Sequence, residues 1–197
     1  MNFIDKLKIR RSNYNITNKI NLSDNELAEY LEEILINTPS AFNSQSQRMV
    51  LLLNDKHKLF WDKLLEIMKG IVPKEQFEKT KTKILGFKSS YGTILFFDDS
   101  ETTDKLMEKF PLYKDNFKKW SIEQNGMLQG NVWVGLRDKE IGASLQHYNE
   151  LIEKFVHEEF NIDSNWGLVA QMPFGNIVEE AKPKEKIEIS KRFKILK

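Results

Sequence analysis

Two guanidiniums and a hydroxyl stand in succession at Arg10, Arg11 and Ser12, where an amphipathic segment gives way to loop. Arginine presents a planar fork of N–H donors that matches phosphate oxygens, so the triplet is suited to gripping an anion, although it also suits plain exposed surface. A second stretch, Thr38 to Gln47 (TPSAFNSQSQ), sets a turn-favouring Pro39-Ser40 and the amides of Asn43 and Gln45 directly before an apolar run. Amides at the mouth of a strand supply paired donors and acceptors that can read the edge of a flat heterocycle; a plain polar loop is the alternative. A third stretch, Gly142 to Asn149 (GASLQHYN), joins small residues that let backbone approach a planar ligand to the polar groups of Gln146 and His147. A helix C-cap at Gly142 followed by ordinary loop fits the same residues.

Other chemistries lack their groups. The chain has no cysteine, which removes disulfides, thiolate nucleophiles, thiolate metal sites and iron–sulfur ligation together, so redox chemistry here requires a bound organic cofactor. His57, His147 and His157 are scattered without metal-ligand spacing. No GxSxG, GxGxxG or GxxxxGK[ST] pattern occurs, and the carboxylate pairs Asp98-Asp99 and Glu158-Glu159 are consecutive, so their side chains diverge. Net charge is +1, but residues 1–20 hold five basic side chains against one acidic, and residues 182–197 hold seven against two. The two basic ends suit solvated tails, nucleic-acid-binding arms, or a joint grip on one phosphate; the acidic interior argues against nucleic acid.

The elements that must position these groups follow from periodicity. Residues 3–9 read as a short helix leading into Arg10. Ser23 and Glu26 form a capping box for a helix whose apolar face is Leu27, Tyr30, Leu31, Ile34 and Leu35, ending before Thr38-Pro39. Met49 to Leu53, Thr93 to Phe97 and Trp166 to Met172 read as three strands. Helices are expected over about 56–69 (capped by Asn54-Asp55), from Pro73 to about Leu85, over 101–110, 112–139 and 149–160, with an extended basic tail over 183–197. Gly126 and Gly130 fall inside the long helix, where each costs about 1 kcal/mol relative to alanine; a close helix–helix approach would explain them, and a break near Asn125-Gly126 is the alternative. With 197 residues and no visible linker, the expectation is one α+β domain over 1–197. MNFIDKLKIRRS has no uninterrupted apolar core of a signal peptide and no apolar run approaches a bilayer span, so a cytoplasmic protein without membrane contact is expected.

Taken in order, RRSNY, TPSAFNSQSQRMVLL, GFKSSYGTILFFDD, IGASLQHYN and WGLVAQMPFG with a basic C-terminal tail resemble the FMN-dependent nitroreductase family, in the branch of the yeast fatty-acid-repression nitroreductase, over most of the chain. The resemblance implies a central few-stranded mixed sheet surrounded by helices, and a homodimer with an extended C-terminal tail and flavin sites at the subunit interface. It implies NADH or NADPH as donor, FMN as carrier, and nitroaromatics, quinones or similar small molecules as acceptors, in a ping-pong hydride transfer with no catalytic side chain. Arg10 and Ser12 match positions that hold the FMN phosphate and ribityl chain, with Arg11 at the start of the same grip. Pro39, Ser40 and Asn43, with Ala41 and Gln45, match the loop that the second subunit lays against the flavin. Leu145, Gln146 and His147 match the segment beside the ring, where backbone donors are expected, and Lys191 and Arg192 match a C-terminal basic pair at the phosphate. Tyr14 stands where larger relatives carry Lys or Arg at the flavin's carbonyl edge. A flavin-binding regulatory or stress-response protein of low turnover on the same fold is the alternative.

Overall fold

The computed structural model describes residues 2–197. Its centre is β2 (Gly92–Asp99), flanked by β1 (Gln47–Leu53) and β4 (Trp166–Asn176), with the short β3 (Ile141–Ala143) beyond β4 in the order β1-β2-β4-β3. The run TILFF in β2 is apolar on both faces because helices cover both. Ile94 and Phe96 pack with Leu27 and Leu31 of α2 (Asp24–Asn37) and with Leu128, Val132 and Leu136 of α6 (Lys114–Asp138). Leu95 and Phe97 pack on the other side with Phe60, Trp61 and Leu64 of α3 (Asn54–Ile71), Ile84 and Phe87 of α4 (Lys74–Lys88), and Ile152 and Val156 of α7 (Asn149–Phe160). Complete burial of each such side chain contributes about 1.5–3 kcal/mol. The α1 (Phe3–Ile9) and α5 (Ser100–Lys109) helices complete the order.

The α+β class and the helix-covered sheet stand as expected; the mixed character of the sheet is corrected. Every ladder between named strands is antiparallel, and parallel pairing is confined to the isolated bridge Ser12↔Ala143. The reason is topological: β1 and β2 are joined by two packed helices, α3 and α4, which return the chain to the end of the sheet it left, whereas a single crossover helix would give a parallel pair. A fourth strand, β3, joins the three expected ones; it is too short to leave a periodic signal.

Local encoding holds at α2, where Ser23 Oγ accepts the Glu26 N–H at 3.3 Å and Glu26 Oε2 accepts the Ser23 N–H at 2.8 Å. It fails at α3: Asn54 enters with φ of 51°, and the helix start has no side-chain cap. The α6 helix runs unbroken for 25 residues, about 37 Å. Among the described residues, nothing outside the nearby backbone of the helix itself comes within 4 Å of a Cβ built at Gly126 or Gly130, and both lie on an exposed face with Ile122 and Met127. At Gly175 the reverse holds: a Cβ there would sit 1.9 Å from the Thr17 carbonyl oxygen, so only glycine lets the 13–17 segment lie against β4. Among the described residues no helix is long and apolar enough to cross a membrane. Residues 182–197 are exposed throughout.

Candidate functional site

The structure brings together two of the three sequence segments. After α1, Ser12 bridges Ala143 and the Asn13 N–H donates to the Ala143 carbonyl at 2.9 Å, which lays Arg10-Arg11-Ser12 along the start of the GASLQHYN segment. Trp133 of α6 fixes both: its Nε1 donates to the same carbonyl at 3.2 Å, and the Arg10 guanidinium lies 4.5 Å above its ring. Partial burial, with the neighbouring charge of Arg11, lowers the Arg10 pKa from its ordinary value. Among the described residues neither arginine has an ion-pair partner, although Lys6 and Arg137 nearby do. Both face a groove of about 600 Å³ that also takes in Ser12, Asn13, Tyr14, Lys182 and Lys184, together with the carboxylates of Glu179 and Glu180, the latter paired with Arg137. The side-chain Nδ2 of Asn13, a buried residue on this groove, has no hydrogen-bond partner among the described residues. An open concavity of this size, where two unpaired guanidiniums, two ammoniums, a hydroxyl and an orphaned side-chain amide outweigh two carboxylates, one of them already paired, suits an anionic ligand of intermediate size.

The 144–149 segment is stitched to β4. The Ser144 N–H donates to Pro173 and the Gln146 N–H to Gln171 (2.7 Å), while Gln171 donates back to the Gln146 carbonyl at 2.9 Å. The side chain of Gln171 then accepts from the Tyr148 N–H at 2.8 Å and donates to Asn149 at 2.6 Å. Gln146 is buried and its amide nitrogen donates to Ser144 Oγ at 3.1 Å, which turns the amide toward the protein. The N–H groups of Leu145 and His147 make no backbone hydrogen bond and alternate with those bound to β4. His147 is exposed.

The third segment stands apart. Ser40 Oγ accepts the Gln45 N–H at 2.9 Å, Gln124 Oε1 accepts the Ala41 N–H at 2.9 Å, and Arg48 donates to the Gln45 carbonyl at 2.5 Å while its other nitrogen meets Asp99 at 2.7 Å. Phe42 places its ring among Phe110, Tyr113, Phe117 and Trp120. Beside it an apolar pocket of about 370 Å³ is bounded by Pro39, Ser40, Ala41, Phe42, Trp120 and Met127. Pro39, Asn43 and Gln45 are exposed. The anchor of this loop, Gln124, and the anchor of the arginine segment, Trp133, are nine residues apart on α6, about 13 Å along its axis. No residue lines both pockets.

Tyr14 is exposed at the rim of the arginine groove, its ring 6.5 Å from that of Phe87. Lys191 and Arg192 sit on an exposed single turn of 3-10 helix and do not line the groove; the basic residues of the tail that do are Lys182 and Lys184, with Lys186 in the adjoining cavity. Sequence reasoning gave no site role to Gln124, Trp133, Gln171 or Arg48, although Arg48 and Gln171 lie within the stretches TPSAFNSQSQRMVLL and WGLVAQMPFG.

Comparison with known proteins places these features in a common frame. A model of the nitroreductase family matches residues 7–176. The nitroreductase FRM2 of Saccharomyces cerevisiae is 30% identical over 191 residues, covering 96% of this chain and 94% of that protein. Among solved structures, the nitroreductase CinD of Lactococcus lactis in complex with nicotinic acid superposes with a TM-score of 0.91 at 36% identity over the whole of both chains. A nitroreductase-type protein of Exiguobacterium sibiricum in complex with FMN has the same fold, with a TM-score of 0.73 at 16% identity over 100% of this chain and 98% of that one.

Proposed function

The chain belongs to the nitroreductase family and is an oxidoreductase of that type, and from this premise we propose that it binds FMN and passes electrons from NADH or NADPH to electron-poor small molecules such as nitroaromatics and quinones. The observation that carries the reading is the Ser12↔Ala143 bridge, which lays two unpaired arginines beside a segment with free backbone N–H groups. Arg10, Arg11 and Ser12 would hold the phosphate and ribityl chain, with Tyr14 at the rim and the N–H groups of Leu145 and His147 directed to the ring. Gln146 serves through its place in that segment, since its own amide is turned inward.

FMN, held by Arg10, Arg11 and Ser12, would supply the redox chemistry between the nicotinamide donor and the acceptor. The protein's part is placement. Trp133 stacks on Arg10 and sets its direction, and Gln171 fixes the backbone of 146–149 so that its free N–H groups need not reorganise. No side chain is required to move a proton.

The loop carrying Pro39, Ser40, Ala41, Asn43 and Gln45 is separated from the arginine groove within one chain, which supports a site shared between two subunits. The exposed stripe of Ile122, Gly126, Met127 and Gly130 on α6 offers a flat face on which a second copy can pack closely. The exposed tail with Lys191 and Arg192 would then turn back to the phosphate of its own chain's flavin, the one that the partner's loop covers.

The test is the visible spectrum of the purified protein and its response to NADH and NADPH. A yellow protein that releases FMN on denaturation, and oxidises a nicotinamide nucleotide rapidly when a quinone is added, is expected. A colourless protein that takes up no added FMN overturns the reading; FMN binding with negligible turnover favours a regulatory flavoprotein.

A further inference from the structure

The chemistry proposed above makes no demand on Gln124, yet this buried glutamine is joined to more of the 39–47 loop than any other side chain of α6. Its Oε1 accepts the Ala41 N–H at 2.9 Å, and its Nε2 donates to Ser46 Oγ at 2.7 Å and to Ser44 Oγ at 3.1 Å. Its backbone carbonyl accepts from Gln47 Nε2 at 3.3 Å, and that same nitrogen reaches the Pro39 carbonyl at 3.2 Å. Behind the loop, Ser46 donates its hydroxyl proton to Asp98 Oδ1 at 2.6 Å, and Thr103 donates to Oδ2 at 3.3 Å.

These bonds fix the chemistry required at position 124. Ala41 offers a proton, so one atom must accept; Ser46 has given its proton to Asp98, so the other atom must donate. A glutamine amide does both at once, an ionised glutamate cannot donate, and leucine does neither.

The backbone so held is one the chain would not adopt unaided. Phe42, Asn43 and Gln45 lie in the left-handed region, with φ of 54°, 53° and 50°. Side-chain-bearing residues persist there only where their surroundings over-determine them. The aromatic cluster around the Phe42 ring and the amide of Gln124 hold residues 41–46, and Ser40 Oγ and Arg48 hold the backbone of Gln45.

We propose that Gln124 is a positioning residue for flavin binding, locking residues 41–46 in the strained shape they present to the cofactor. This rests on the reading of that loop as a flavin contact. Its neighbour Asn125 provides a matched control: it is equally buried, but donates at 2.8 Å to the Phe97 carbonyl, toward the sheet and away from the loop.

The experiment measures FMN dissociation constants by flavin fluorescence, the melting temperature of flavin-free protein, and hydrogen exchange at the Ala41 amide, for wild type, Gln124→Leu, Gln124→Glu and Asn125→Leu. Gln124→Leu should weaken FMN binding roughly ten-fold, the worth of one hydrogen bond, and speed Ala41 exchange. Asn125→Leu should lower the melting temperature with FMN affinity kept. Gln124→Glu, normalised to wild type at each pH, should bind poorly at pH 8 and recover toward pH 5.5 as the carboxylic acid regains a donor. That pH profile carries the test should Gln124→Leu fail to fold. Wild-type affinity in Gln124→Leu, losses in both leucine variants that merely track melting temperature, or a flat Gln124→Glu profile would overturn the assignment. Failure of wild type itself to bind FMN overturns the cofactor reading and the proposal with it, and is seen separately from any variant.

Discussion

Lowering the pH should loosen one identifiable lock in this fold. His57 of α3 is buried, with Nε2 3.0 Å from the Lys88 carbonyl and Nδ1 2.9 Å from Thr93 Oγ1. A carbonyl can only accept, so Nε2 carries the proton and Nδ1 accepts from the Thr93 hydroxyl, which in turn accepts from Trp61 Nε1 at 2.9 Å. The chain of bonds is satisfied only with a neutral imidazole. Burial is the main reason the His57 pKa is pushed down to about 4; the Lys88 and Ser90 backbone groups oppose that shift, and the charges of Lys58 and Lys88 add to it. In the unfolded chain the group titrates near its ordinary 6.5. Between those two values the unfolded state binds a proton that the folded state refuses. Stability from neutral His57 is therefore complete above about pH 6.5, falls as pH drops toward 4, and changes no further below it. The loss between pH 7 and pH 4.5 comes to about 2–3 kcal/mol. Urea titrations of the flavin-free protein, followed by tryptophan fluorescence across this range, should show a slope that His57→Gln largely removes. Thr93→Val should cost about 1–3 kcal/mol at pH 7, because Trp61 and His57 both lose their partner. Parallel loss of stability in wild type and His57→Gln would refute this account of the lock.

Two further outcomes test the proposed site. Arg10→Glu and Arg192→Glu should each weaken FMN binding far more than Lys56→Glu, because a charge-assisted contact is worth about 1.5–3 kcal/mol and reversal adds repulsion, whereas Lys56 pairs with Glu159 on the surface; equal flavin occupancy in all three removes the arginines from the site. A variant damaged at Arg192 and another damaged at Asn43, each inactive alone, should recover about a quarter of wild-type sites when coexpressed, since about half the dimers are mixed and each has one intact site. No recovery, although mixed dimers form, would mean that the loop and the tail of one chain serve the same flavin, or that the loop assignment is wrong.

What the sequence determined was whatever depends on neighbours along the chain. The capping box at Ser23 and Glu26, the apolar faces of α2 and α6, and the runs that become β1, β2 and β4 are written in spacings of a few residues, and each forms as those spacings require. The order of the five stretches that resemble the family was equally visible, and it led to the family. Tertiary structure decided the rest, because the deciding contacts join residues far apart in the chain. The antiparallel sense of the sheet follows from the α3–α4 hairpin closing on itself, and β3 exists only because Phe174, Gly175 and Asn176 of β4 offer it an edge. Nothing in phenylalanine asks for the φ of 54° found at Phe42; four aromatic rings and Gln124, 83 residues away from Ala41, impose it. Likewise Gln146 looks in sequence like a polar group offered to a ligand, and in the fold its amide turns to Ser144 while Gln171 binds its backbone. Spacing along the chain specifies where a strand or helix can form, but hydrogen bonds between distant segments decide which polar groups remain free to meet a ligand.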